Sequence, residues 1–243
     1  MCKRDRYREG KLSDVQSQFF EPKSPEALYN IEDDPHEIND LSNSESHQEI
    51  LLQMREQIQE RIRKMPDLSF YPEPYLLDNA IKNPTAFGQD NKTAIAELIA
   101  IADLNLEPYD FVEGKIKLAL KDKNPWKRYW GLIVCSSFGI QAKGLVPHIQ
   151  KILQTDKVNL VKIRAAEYLM LNKISFDQKN LKTLLENASS ETEANLILNT
   201  FCLIKEYQPE IKFNFSKEIF PSEWHDEPNK LVNRRLEYLI SHN

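Results

Sequence analysis

The sequence predicts a mostly α-helical fold, in which a short mixed α+β region precedes a long series of helices. The chain has 243 residues but only 6 glycines, and β-hairpins and phosphate-binding loops both use glycine. From residue 91 onwards, amphipathic stretches follow one another with short breaks. We therefore predict three regions: a strand-turn-helix region at 1–66, a proline-rich ordered linker at 67–90 and a helical-repeat domain at 91–243.

Charge, hydropathy and cysteine content limit the kinds of partner and metal site that we expect for this chain. The formal net charge is −5, whereas a nucleic-acid surface needs clustered Lys and Arg. No window reaches the ~18 apolar residues of a membrane-spanning helix, and no CxxC pair or Cys/His cluster suggests a zinc site. We expect no nucleic-acid partner and no membrane span. Cys135 and Cys202 lie in apolar helical runs and are expected to be buried thiols.

The clearest local pattern in residues 1–66 is a strand, a turn and a helix. Residues 27–31 include β-favouring types and are predicted to form a short strand. Asp33-Asp34-Pro35 follows as a turn, because proline disfavours α geometry at the residue before it. Ser46 and Glu49 have the spacing of a capping box. The helix that they begin carries an apolar stripe of Ile50, Leu51, Met54, Ile58, Ile62 and Met65.

Residues 91–243 are predicted to form helices at 92–104, 108–121, 125–138, 145–154, 160–171, 178–186, 192–207 and 227–241. Asp122 and Asp156 each open a turn, and an arginine then precedes an apolar helix. These arginines, Arg128 and Arg164, lie about 36 positions apart, within the range of helical-hairpin repeats. The layout resembles a HEAT-type array, in which hairpins stack into an α-solenoid because no single hairpin covers its own apolar face.

Residues 27–43 read ALYNIEDDPHEINDLSN. This segment resembles the C-terminal signature of the sulfatase family, in which a Glu-Leu-Tyr-Asp-Leu strand leads into an Asn-Asp-Pro turn and then Glu-x-Asn-Asn-Leu. The matching positions are Leu28, Tyr29, Ile31, Asp34, Pro35, Glu37, Asn39 and Leu41. The lead-in at 7–20 and the helix around Met54-Arg55 are similar to sulfatases with long C-terminal extensions. The resemblance covers about residues 1–80 and implies that 1–66 is a remnant of the sulfatase C-terminal subdomain.

The resemblance also implies that the chemistry lies outside this chain. Sulfatases use a cysteine oxidised to formylglycine in a Cys-x-Pro-x-Arg motif, together with a divalent cation held by Asp and Asn. Cys2 and Arg6 have that separation, but Arg4 replaces the proline, and in the family a whole catalytic domain separates the two motifs. We therefore assign no catalytic, cofactor-binding or metal-binding residue here and expect calcium only in the parent catalytic domain.

Other residues have two interpretations. Asp33 and Asp34 suit a turn better than a metal site. His36 and His47 lie near that turn and are either surface histidines or residues that face substrate in a complete enzyme. The aromatic residues of the helical region are either core residues or a surface that stacks on sugar rings, and we expect the core. They are Trp126, Tyr129, Trp130 and Trp224.

Three functions remain. The first is a C-terminal fragment of a sulfatase, a sulfuric ester hydrolase that by resemblance acts on sulfated carbohydrates. It lacks the catalytic core and serves as an accessory region that shapes the substrate pocket or mediates oligomer contacts. Its expected partners are the missing N-terminal catalytic domain and either a sulfated carbohydrate or another protomer.

The parent enzyme would by resemblance be periplasmic or secreted, whereas the chain itself does not indicate a compartment. The second function is a stand-alone HEAT-repeat scaffold for protein–protein interaction, and the third is a small enzyme that uses Cys2. The first is favoured because a single strand at 27–31 leaves backbone groups unpaired and needs sheet partners from elsewhere.

Overall fold

The structure is a computed structural model that describes residues 3–177, 179–213, 215–227 and 230–241. It is mostly helical, as the composition predicts, and none of these described residues forms a β-strand. The chain divides into two compact units, Met1–Lys64 and Met65–Asn243.

The N-terminal unit contains, in its described part, α1 (Lys3–Arg8), α2 (Asp14–Ser17) and α3 (Gln48–Lys64). The capping box predicted for α3 does not form. The Ser46 hydroxyl instead lies 3.0 Å from both the Ser44 hydroxyl and His47 Nδ1, within a 3₁₀ turn that leads into α3. A capping box does begin α2, where Ser13 and Gln16 satisfy each other's backbone N–H groups.

The predicted strand at 27–31 is wrong for the described chain, because these residues have no regular secondary structure. The backbone N–H of Leu41 donates to the carbonyl of Leu28 at 2.7 Å, and the N–H of Leu28 donates to the Asp40 carboxylate at 3.0 Å. A strand needs a repeating ladder of backbone bonds to a neighbour. A single backbone bond plus a side-chain acceptor holds the segment without making it a strand.

Helix α3 has the predicted amphipathic pattern, but much of its apolar stripe is exposed. Leu51 is buried, whereas Ile50, Met54 and Ile58 are 49%, 47% and 58% exposed. On another part of the helix, the Arg55 guanidinium donates to Glu26 Oε2 at 2.9 Å and also contacts Oε1. The ion pair fixes α3 to the segment before the turn, while the stripe remains uncovered.

The C-terminal unit contains the following α-helices in its described part: α4 (Glu73–Asn79), α5 (Pro84–Asp90), α6 (Lys92–Ala102), α7 (Tyr109–Ala119), α8 (Pro125–Phe138), α9 (Val146–Thr155), α10 (Asn159–Leu171), α11 (Lys179–Glu186), α12 (Glu191–Tyr207) and α13 (Leu231–Ser241). The helices predicted from residue 92 onwards form within a few residues of their expected bounds, and α8 matches its bounds. Asn124 is the N-cap of α8, as expected, and accepts from the N–H of Trp126 at 2.9 Å.

Residues 67–90, predicted to be a proline-rich ordered linker, contain α4 and α5. Asn83 caps α5 by accepting from the N–H of Ala86, and a proline follows this cap in the first helical turn, where it is favoured. The ring of Tyr71, 5% exposed, contacts the rings of Tyr75, Phe87 and Trp126. Aromatic packing against α8 therefore gives this segment a place in the core of its unit.

The helices from α6 onwards pack in an alternating order. Helix α8 packs between α6 and α10, and α10 packs between α8 and α12, while α7 and α9 cover this row and α13 packs on α12. Helix α10 lies at the centre, and residues on every side of it are buried, including Ile163, Ala166, Leu169 and Met170. A helix with buried residues on every side belongs in a core, and α10 is the central helix of this unit.

The stretch Pro125–Thr155 is long and apolar enough to cross a membrane by length and composition alone, with a mean hydropathy of 1.2 in its most apolar window. In the fold it comprises α8, a 3₁₀ segment that begins at Gly139 (φ +55°) and α9. Leu132 and Ile149 in this stretch are fully buried, whereas Ile140 is 61% exposed. The core helices of a protein satisfy the same length and composition criterion, and 33% of this most apolar window is buried.

The repeated Asp-to-Arg pattern corresponds to an ion pair between successive turns. Arg128 Nε donates to Asp156 Oδ2 at 2.6 Å, and Nη2 donates to Oδ1 at 2.9 Å. Nη1 also donates to the carbonyl of Asp122 at 2.7 Å. The Asp156 side chain is only 4% exposed. The second arginine, Arg164, binds Glu167 at 2.5 Å and lies over the ring of Tyr129.

We predict that the Arg128–Asp156 pair stabilises the C-terminal unit with a coupling free energy of about 2–3 kcal/mol, because both groups are largely removed from water and bidentate. A double-mutant cycle of Arg128→Ala and Asp156→Ala, followed by urea unfolding, measures it. The matched control is the cycle at Lys182 and Glu186, whose side chains are 61% and 47% exposed and whose coupling should be about 0.3 kcal/mol. Equal coupling in the two cycles would contradict the prediction.

Candidate functional site

The turn that carries the sulfatase-like signature is held by Asp34. Its Oδ2 accepts from the backbone N–H of Ile38 at 2.8 Å and of Asn39 at 2.7 Å, and its carbonyl accepts from the N–H of Glu37. Asp33 Oδ2 accepts from the Asn30 side chain at 2.7 Å. Both aspartates therefore serve the turn, as predicted. Among the described residues, no group of three or more His, Cys, Asp or Glu is placed to hold a metal ion.

Asp40 is the second residue that holds this loop, and it was not among the predicted site residues. Its Oδ1 accepts from the backbone N–H of Leu28 at 3.0 Å and of Ser42 at 2.9 Å. Partial burial tends to raise the pKa of Asp40, but these two donors outweigh it and lower the pKa below its ordinary value. The bond from the Ser42 N–H makes an Asx turn, and aspartate is a residue type that favours such turns.

Neither histidine of the signature region lies in a cluster of side chains that resembles a catalytic site. His36 is exposed, and His47 Nδ1 lies within hydrogen-bond distance of the Ser44 and Ser46 hydroxyls. Cys2, the candidate nucleophile, lies outside the described residues. Burial raises the pKa of Cys135 to about 12 and that of Cys202 to about 11, so both thiols stay protonated and unreactive near neutral pH.

Of the four aromatic residues singled out in the helical region, two are buried and two, Trp130 and Trp224, are half-buried. Trp126 and Tyr129 are buried and their rings contact each other. Trp130 Nε1 donates to the carbonyl of Phe70 at 2.8 Å, and Trp224 packs on Phe220. The core interpretation is therefore confirmed for Trp126 and Tyr129, and their rings are not available for stacking on sugar.

The C-terminal unit also has a groove of about 860 Å³ with a basic lining. The turn between α7 and α8 contributes Lys121 and Lys123, α9 contributes His148 and Lys151, and the turn between α9 and α10 contributes Lys157. All four lysines are exposed, and His148 is half-buried. Leu120, Pro147 and Ile152 add an apolar part to the lining.

The electrostatics of this groove favour an anion. Asp156 is the acidic residue of the lining, and its carboxylate is bound by Arg128 and by the N–H of Val158. The four lysines are therefore not neutralised by a carboxylate of the lining. Desolvation lowers the pKa of His148, and the positive charges of Lys121, Lys117 and Lys151 lower it further. We name this feature the basic groove.

The sequence repeat contains the signal that would have predicted the basic groove. Lys123 follows Asp122, and Lys157 follows Asp156, so the two lysines occupy equivalent positions of the repeated pattern. In the structure both lysines line the same groove. The lysines are too far apart in sequence to form a basic cluster, and the net charge of −5 conceals the local excess of positive charge.

Comparisons with known proteins identify no family for this chain. No protein-family model matches the chain, and no curated protein and no solved structure matches it.

We predict that Lys121→Gln raises the pKa of His148, because the substitution removes a positive charge that opposes the imidazolium. The pKa should remain below 6.5, because desolvation, Lys117 and Lys151 still act on the ring. The measurement is an NMR titration of the imidazole. Lys92→Gln, an exposed position outside the groove lining, is the control and should leave the titration unchanged. An identical titration in both variants would contradict the effect that we assign to the Lys121 charge on the pKa of His148.

Proposed function

We propose that this chain is the C-terminal region of a sulfatase-type sulfuric ester hydrolase, an accessory region without the catalytic core. The observation that carries the proposal is the interlocked signature loop. Leu28 and Leu41 are joined by a backbone hydrogen bond, and Asp34 binds the backbone of Asn39. With the backbone hydrogen bond from Glu37 to Asp34, five of the eight residues that match the sulfatase signature are linked directly, which supports one shared local structure.

The exposed stripe of α3 supports a missing partner domain. Ile50, Met54 and Ile58 lie at helical spacing on one face and are each about half exposed. Adjacent apolar side chains on one exposed face are typical of interaction surfaces. In this proposal the stripe packs against the N-terminal sulfatase catalytic domain. That domain would supply the formylglycine and the calcium site, and the parent enzyme would be periplasmic or secreted, by resemblance.

The helical unit would be a HEAT-like α-solenoid in the same protein. The alternating packing of α6, α8, α10 and α12 and the ion pair between successive turns support this interpretation, since stacked repeats contact their neighbours through equivalent positions. Its role would be to shape the approach to a substrate pocket for sulfated carbohydrates, or to contact another protomer.

A second candidate function, a free-standing HEAT-repeat scaffold for protein partners, is favoured by one observation. Phe111 and Leu118 lie seven residues apart on α7 and are 78% and 71% exposed. Residues at this spacing lie on one helix face, and large exposed apolar side chains there suit a protein contact. This function requires no catalytic domain.

The coding sequence upstream of the Met1 codon distinguishes the two functions. The sulfatase proposal expects an in-frame α/β-coding region with a Cys-x-Pro-x-Arg motif, because the signature lies C-terminal to the catalytic domain in the family. A stop codon and a ribosome-binding site immediately upstream would overturn it and support the scaffold.

We also predict that the 243-residue chain alone does not hydrolyse an aryl sulfate, even with calcium and a formylglycine-generating enzyme supplied, because the groups that polarise sulfate lie in the proposed partner domain. Release of the phenol is followed by absorbance, with Cys2→Ala as the matched variant. Turnover that disappears in Cys2→Ala would show that Cys2 is a nucleophile and would contradict the prediction.

A further inference from the structure

We propose that the basic groove is a binding site for a sulfated oligosaccharide, which it holds through the sulfate groups at a distance from any catalytic centre. The choice of a sulfated sugar rests on the proposed function. The anion site itself rests on the geometry of the C-terminal unit alone.

The first argument is the arrangement of charge. Lys121, Lys123, Lys151 and Lys157 come from two successive turns and from α9, and they line one groove. Because Lys123 and Lys157 occupy equivalent repeat positions, they present ammonium groups at successive repeats. A linear polyanion carries charges at intervals and suits such a series, whereas a single small anion would engage only part of it.

The second argument concerns what the arginine and the acid of the groove already do. The Arg128 guanidinium binds Asp156 in bidentate fashion and donates to a backbone carbonyl. Arg128 therefore has a structural role. The positive charges that can contact a ligand are the flexible ammonium groups of the four lysines. Lysines act as point charges without the planar fork geometry of arginine, and they adapt to sulfate esters at variable positions on a sugar.

The third argument separates a sulfated sugar from a nucleic acid. Proteins that bind single-stranded nucleic acid combine basic grooves with aromatic side chains on which the bases stack. Among the described residues that line the basic groove there is no Phe, Tyr or Trp, and the neighbouring Trp126 and Tyr129 are buried. The lining instead includes Leu120, Pro147 and Ile152, an apolar surface against which the C–H face of a sugar ring can lie.

His148 provides an internal reporter of occupancy. It is half-buried among Lys117, Lys121 and Lys151, whose charges disfavour its imidazolium form. An anion bound beside these lysines offsets their field and raises the pKa of His148. The imidazole resonances should therefore shift on binding at the groove and remain unchanged on binding elsewhere.

The experiment uses the full 243-residue chain and a heparin-derived, fully sulfated hexasaccharide. Calorimetry at two salt concentrations should show binding that weakens as salt rises, because bound ammonium–sulfate contacts release counterions. Lys121→Gln/Lys151→Gln should weaken binding about tenfold or more, from the loss of two attractive charges. Lys82→Gln/Lys92→Gln removes the same charge from exposed positions outside the groove lining and should bind within about twofold of the unmodified chain.

The proposal is overturned by no binding of the sulfated hexasaccharide, by equal weakening in both lysine variants, or by tighter binding of a charge-matched thymidine oligonucleotide. The desulfated hexasaccharide should not bind, and its binding with equal affinity would also contradict a sulfate-directed site. Because all four lysines are exposed, the variants should keep their helical content, which circular dichroism checks.

The result is separable from the test of the proposed function. Absence of a catalytic domain upstream, together with groove-dependent binding of the hexasaccharide, would remove the sulfatase assignment and leave the anion site standing. A catalytic domain upstream without groove-dependent binding would support the sulfatase assignment and remove the anion site.

Discussion

The ion pair between Arg128 and Asp156 is the interaction on which the helical unit depends. It joins the first turn of α8 to the turn before α10, and the same guanidinium also binds the carbonyl of Asp122 in the turn before α8. Since α8 and α10 form the most extensive helix contact of the unit, the pair fixes the relative position of its two central helices. Loss of either partner would leave a largely buried charge without its counter-ion.

The same ion pair determines the chemistry of the basic groove. It neutralises Asp156, which would otherwise attract the nearby lysines and cancel their effect on a ligand. It also holds the two Asp-Lys turns in equivalent positions, so that Lys123 and Lys157 face one groove. A structural contact thus leaves an uncompensated positive surface in a chain whose net charge is −5.

The N-terminal unit uses a different means of holding an irregular loop. Asp34 and Asp40 accept four backbone N–H groups between them, which satisfies donors that a sheet would otherwise satisfy. Glu37 adopts a left-handed conformation (φ +53°) in the same loop, a conformation that non-glycine residues keep only where the surroundings enforce it. This local network explains why the segment is ordered although the predicted strand is absent.

The sequence by itself determined the helices from residue 92 onwards, the Asn124 cap of α8 and the repeated Asp-to-Arg pattern, because periodicity and capping depend on residues a few positions apart. It did not determine the state of residues 27–31, since strand formation depends on whether a second strand is present to complete a ladder. Nor did it determine which apolar stripe is covered, and the stripe of α3 remains half exposed. Only the tertiary structure brought lysines from three separate elements into one groove, because their proximity arises from the packing of α7 and α10 against α8 and of α9 against α10.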